Sequence, residues 1–101
     1  MRMWNIETNQ MCDKHLLGEH VEMHMFVGTI NRGKSIQGYL NNGLVEVHNI
    51  KNRHDKLSLE MKRRNMEHNS PLLKYKKIKL GKVNVEKNRL ELKRRCNNCL
   101  T

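Results

Sequence analysis

A histidine and two glutamates share one face of the first helical stretch in this 101-residue chain. His15, Glu19, Glu22 and Phe26 stand at i, i+4, i+7 and i+11, which stacks them along a single side of an α-helix. Such a face is not an apolar core stripe. It is also unusual as a solvated one, because Glu19 and Glu22 place like charges in adjacent turns. Two close carboxylates push one pKa upward, a common preparation for acid–base chemistry. A polar face partnered by lysines from elsewhere is the plainer reading of the same spacing.

Metal chemistry is a second possibility. His20 and His24 sit at i, i+4, a legitimate ligand spacing, but Val21 follows His20, so the His-Glu-x-x-His signature is absent. Cys96-Asn97-Asn98-Cys99 forms a C-x-x-C that needs two further ligands. Cys12 plus one histidine completes that set only if the fold brings them together. Spacing alone therefore assigns no metal site. Three cysteines are an odd number without a secretory signal, which predicts reduced thiols rather than a disulfide framework. No βαβ pattern accompanies the C-x-x-C, so a redox role is not expected.

These groups need elements to position them. A first helix is predicted from about Thr8 to Ile30, capped by Thr8 or Asn9. Gly18 weakens it, a cost offset if another backbone packs closely there. Gly28 to Gly43 reads as a turn-rich connection with a short helical piece around Ile36–Leu40. A second helix is predicted from Leu44 to about Asn65, with Val47, Ile50, His54, Leu57 and Met61 on its inner stripe. Ser70-Pro71 ends the next loop, and Lys74–Leu80 is basic and weakly patterned. Asn84 caps a last helix from Val85 to about Arg95, with Val85, Leu92 and Cys96 toward the core. Strand signals are poor. The expected fold class is mainly α, one compact domain over residues 1–101 of about three helices with long irregular connections. Aromatics are only 4 % of residues, so Leu, Ile, Val and seven Met must fill the core.

The formal charge is +10, and its distribution is uneven. Residues 1–50 carry a net −1 and residues 51–101 a net +11. A phosphate backbone is the usual partner of such asymmetry, because Lys and Arg displace its condensed counterions. An anionic membrane would call for a basic amphipathic helix with Trp or Phe, and the basic half has neither. No run of 18 apolar residues exists, and the N-terminus lacks the apolar stretch of a signal peptide. No membrane partner is expected, and the predicted location is the cytoplasm.

Several stretches carry a family likeness. They are Met1-Arg2-Met3-Trp4, then Cys12-Asp13-Lys14-His15-Leu16-Leu17-Gly18-Glu19-His20-Val21-Glu22-Met23-His24, and Gly33-Lys34-Ser35-Ile36-Gln37-Gly38-Tyr39. Arg53-His54-Asp55-Lys56-Leu57, Glu60-Met61-Lys62-Arg63-Arg64, His68-Asn69-Ser70-Pro71-Leu72, Val83-Asn84-Val85-Glu86-Lys87-Asn88 and Arg95-Cys96-Asn97-Asn98-Cys99 continue it. Together they resemble the pyrimidine-dimer DNA glycosylase/AP lyase family of the phage endonuclease V type, in its short bacterial and phage branch. The resemblance implies an N-terminal α-amine as nucleophile. Arg2 is large, so Met1 is expected to be retained and to carry that amine. It would attack C1′ of a damaged nucleotide, form a Schiff base and break the strand by β-elimination. As a class, α-amines are far less basic than lysine side chains and so more nucleophilic near neutrality.

The resemblance places the catalytic glutamate on Glu22, with Arg2, His15 and Glu19 in support. It implies double-stranded DNA bearing a pyrimidine dimer or abasic site as partner, no cofactor, a monomer, and a bacterial cell or phage-infected host. Val21 and Met25 stand where relatives carry basic groups. Backbone grip is therefore expected from Arg53, Lys62, Arg63, Arg64, Lys74, Lys76, Lys77 and Lys79, with Trp4 or Tyr39 as a stacking wedge. Two alternatives stay open. One is a non-catalytic basic nucleic-acid-binding module of the same fold. The other is a metal-dependent nuclease using His20, His24 or the C-x-x-C.

Overall fold

The computed structural model describes residues 1–66 and 70–100, so His68 and Asn69 of the resemblance lie outside the described residues. Among the described residues four α-helices follow one another: α1 Asp13–Asn31, α2 Gln37–Asn41, α3 Ile50–Arg63 and α4 Val85–Arg95. Thr8–Gln10 and Val47–Asn49 form 3-10 turns, and no strand occurs among the described residues. The fold is mainly α, with three long helices and one short one, as expected. Its radius of gyration, 13.1 Å, matches the value of about 13 Å for a compact chain of this length.

The predicted first helix is interrupted before it starts. Thr8 and Asn9 lie in the 3-10 turn, Met11 is extended and buried, and α1 begins only at Asp13 with Cys12 at its N-cap. Burying Met11 against Arg53, and pairing the Gln10 carbonyl with the Leu100 amide at 2.7 Å, compete with helical continuation. Asp13 in the first turn then complements the positive helix end. The second predicted helix is also shorter at its start. Glu46 is tied by its carboxylate to Asn49 Nδ2 at 2.7 Å and to the Val83 amide at 2.8 Å, which holds the chain extended. The helix proper opens at Ile50.

The inner stripe of α3 is as patterned: Val47, Ile50, His54, Leu57 and Met61 are all buried. α3 packs lengthwise on α1, the main helix pair of the molecule. Phe26 of α1 meets Tyr39 of α2 edge-on, with ring centroids 5.2 Å apart. The last helix has the predicted bounds, and Asn84 accepts the Lys87 amide through its side chain.

The offset that close packing would give Gly18 does not arise. No backbone approaches Gly18, where an added Cβ would meet nothing within 4 Å. The close approach occurs instead at Gly81, whose φ is +92° and whose added Cβ would lie 2.2 Å from the Val45 carbonyl.

Candidate active site

The first six residues form an irregular arm, turned at Asn5 with φ +56°, whose backbone is bonded at residues 2 to 4. The Arg2 amide donates to Glu22 Oε1 at 2.7 Å, the Met3 amide to the Leu44 carbonyl at 2.6 Å, and the Trp4 amide to Glu19 Oε2 at 3.2 Å. Buried Asn88 of α4 donates its side-chain amide to the carbonyls of Met3 and Trp4. Met3, Trp4 and Ile6 are buried as anchors. Apolar burial supplies the adhesion, and the paired backbone groups set the register. The chain end is therefore fixed against the polar face of α1.

A cavity of about 340 Å³ opens at this place, lined by Met1, Arg2, Trp4, His15, Glu22, Tyr39, Leu44 and Arg95. Only one Cα and one carbonyl carbon separate the Met1 amine from the Arg2 amide that holds Glu22. The Met1 end of the chain and the Glu22 carboxylate thus share one small space. Arg2 and Arg95 both lie over Trp4, with guanidinium carbons 4.6 and 5.8 Å from the ring centroid. Two cations beside an amine and a carboxylate suit a negatively charged substrate. Burial, with Lys14 and Arg95 close by, holds His15 below the usual histidine range. Arg95 carries no recognisable spacing signal, and only the fold brings it to the cavity. A larger groove of about 680 Å³ shares Arg2 and Leu44 but lacks both the chain end and Glu22.

Glu19 lies beneath this cavity rather than in it. It is 1 % exposed and receives Arg53 Nε at 2.5 Å and Nη2 at 2.8 Å. Burial pushes its carboxyl upward while Arg53 and the Trp4 amide oppose that, and Glu22 adds the least. The bidentate geometry requires the carboxylate. The expected carboxylate pair is therefore split, with Glu19 structural and Glu22 facing the space.

Arg53 is corrected accordingly. It was expected at the DNA backbone, but it is 5 % exposed and bridges Glu19 to the Ile6 carbonyl. Arg64 is similarly committed, to Glu60, Asp13 and the Thr8 carbonyl. Arg63 and Arg64 hold Glu60 down to about 2, chiefly through the hydrogen bond from Arg63. Arg63 remains solvent-exposed, as do Lys62, Lys74, Lys76, Lys77 and Lys79. The four lysines from 74 to 79 lie in an irregular segment docked on the start of α3 through Tyr75 Oη and the Leu80 carbonyl. Val21 and Met25 are exposed apolar residues on α1.

Two groups of metal-ligating side chains converge among the described residues. His54 of α3 joins His20 and His24, with ring centroids 4.6–5.0 Å apart, and His20 Nε2 lies 2.9 Å from Ser58 Oγ. Cys12 and His15 meet Cys96 and Cys99. Spacing alone revealed only the pairs His20/His24 and Cys96/Cys99, because each completing partner comes from a distant segment.

The sequence pattern of the family described as pyrimidine dimer DNA glycosylase matches residues 1–74. That stretch contains Met1, Arg2, His15, Glu19 and Glu22 and stops before α4. No curated protein and no solved structure matches the chain.

Proposed function

The chain belongs to the pyrimidine dimer DNA glycosylase family, and from that premise we propose that it is a glycosylase/AP lyase using the Met1 α-amine. The observation that carries the reading is the 2.7 Å bond from the Arg2 amide to Glu22 Oε1, which sets the chain end beside a carboxylate in a cationic cavity. The neutral amine attacks C1′ of a damaged nucleotide, the N-glycosidic bond breaks, and the base leaves with a proton. Glu22 stabilises the positive charge that develops on the sugar. At an abasic site the same amine condenses with the C1′ aldehyde and releases water. On the glycosylase route the C1′–O4′ bond then opens as O4′ takes a proton, so that either route gives an imine to Met1. Loss of a C2′ proton, with Glu22 assisting, then expels the 3′ phosphate by β-elimination.

Arg2 and Arg95 are placed to neutralise phosphate charge at the cavity mouth, and the exposed Lys62, Arg63, Lys74, Lys76, Lys77 and Lys79 hold the duplex. Reaching C1′ requires local unstacking, a cost of a few kcal/mol that is lower at a damaged site. Trp4 is buried under Arg2, which favours a wall rather than a wedge.

Borohydride trapping on duplex DNA with an abasic site or a pyrimidine dimer tests the chemistry. Wild type should give a covalent adduct on both substrates, a chain with its α-amine acetylated on neither, and Glu22→Gln should lose the adduct on the dimer and strand cleavage at the abasic site. An adduct that persists after α-amine blocking overturns the mechanism. Salt-dependent binding without adduct or cleavage leaves the non-catalytic module, and cleavage that gives no borohydride adduct and is abolished by chelator points to the metal-dependent nuclease.

A further inference from the structure

We propose that Cys12, His15, Cys96 and Cys99 form a structural zinc site that staples the C-terminal segment to the start of α1. One ligand atom from each of the four residues lies within 4.8 Å of all the others. Cys12 Sγ is 3.2 Å from His15 Nδ1 and 3.8 Å from Cys96 Sγ, and Cys99 Sγ is 3.6 Å from His15 Nδ1. A tetrahedral zinc with Zn–S of about 2.3 Å and Zn–N of about 2.0–2.1 Å requires S···S of about 3.8 Å and S···N of about 3.5 Å. Three of the six edges of that tetrahedron thus lie within about 0.3 Å of these lengths, and the other three do not exceed 4.8 Å.

The supporting chain has the form of two half-sites. Cys12-Asp13-Lys14-His15 places its ligands at the N-cap and in the first turn of α1, and Cys96-Asn97-Asn98-Cys99 leaves the end of α4. The Cys12 amide donates to Cys99 Sγ at 3.1 Å, and the Leu100 amide closes on the Gln10 carbonyl at 2.7 Å. Backbone N–H groups aimed at sulfur stabilise metal-bound thiolates. Three thiols and one histidine also account for the odd cysteine count, since a disulfide would leave one thiol over. With four protein ligands the site has no open position, which marks it as structural rather than catalytic.

Such a site has a task in this fold. Among the described residues, no other helix packs extensively along α4. That helix nevertheless carries Asn88, which clamps the N-terminal arm, and ends in Arg95, which walls the cavity. A metal joining Cys96 and Cys99 to α1 fixes both. It also makes His15 a ligand through Nδ1, so that its place beside the cavity is a positioning role and not proton transfer.

The test is metal analysis of the full chain purified under reducing conditions without chelator. One zinc per chain is expected, and cobalt substitution should give thiolate-to-cobalt charge transfer with the intense d–d bands of a tetrahedral site. Mercurial titration of the thiols should release the zinc. A Cys96→Ser/Cys99→Ser chain should lose the metal, whereas His54→Gln should keep it. The wild-type cobalt spectrum and mercurial release decide the question even if the cysteine variant fails to fold. A metal-free chain whose thiols show no cobalt charge transfer overturns the proposal. So does a Cys96–Cys99 disulfide, or zinc that survives the cysteine substitutions and is lost with His54→Gln.

Discussion

Glu19 and Arg53 show how a single pair can bear on catalysis without touching substrate. Both are nearly inaccessible, and together they reach the Trp4 amide and the Ile6 carbonyl of the N-terminal arm. Removing one partner strands the other charge in a dry interior. Glu19→Gln or Arg53→Met should each lower unfolding free energy by about 3–5 kcal/mol, read by urea denaturation. The double variant Glu19→Gln/Arg53→Met should lose less than the two singles combined, because no charge is then orphaned. Additive losses would show that the two residues act independently. The pair was hidden in the sequence for a plain reason. Arg53 lies 34 residues from Glu19 and reads as one more cation in a basic half.

Among the elements, two glycines have opposite meanings. Gly18 sits inside α1 with open space around it, so Gly18→Ala removes backbone freedom from the unfolded chain without a clash. A gain of about 0.5–1 kcal/mol is expected, or a rise of several degrees in Tm on the scale of about 4–8 °C per kcal/mol for small domains. Gly81 joins the basic segment to Val45 at positive φ with a carbonyl in the way. Gly81→Ala should destabilise by at least about 1–2 kcal/mol from the backbone conformation alone. Thermal unfolding of the two variants side by side checks both signs, and equal shifts would contradict the packing described. Helix interiors and the Asn84 cap were readable because periodicity and capping are local. The starts of α1 and α3 were not, since Met11, Gln10 and Glu46 are held by partners far along the chain.

The whole molecule separates its two halves by charge. The first half supplies most of the cavity lining, and the second supplies Arg95, the exposed cations and the α4 clamp. Replacing Lys74, Lys76, Lys77 and Lys79 by alanine should weaken DNA binding without regard to sequence. It should also flatten the plot of log K against log salt by up to about 0.9 per lysine that meets a phosphate. An unchanged slope in filter-binding or anisotropy titrations would remove this segment from the interface. Trapping by Met1 at saturating DNA should persist in that variant, because its lysines do not line the cavity.

The amino-acid order alone determined the mainly helical fold, the last helix and its cap, the buried stripe of α3, the charge asymmetry and the face bearing His15, Glu19 and Glu22. All of these depend on neighbours within a few turns or on composition. Tertiary structure alone decided that Glu19 is buried against Arg53 while Glu22 faces the cavity, and that Arg95 completes the wall. It also decided that His54 joins His20 and His24, and that Cys12 and His15 meet the C-x-x-C. Each of these outcomes rests on a contact between segments far apart in the chain. Local spacing carries no information about which of two similar side chains such a contact will bury.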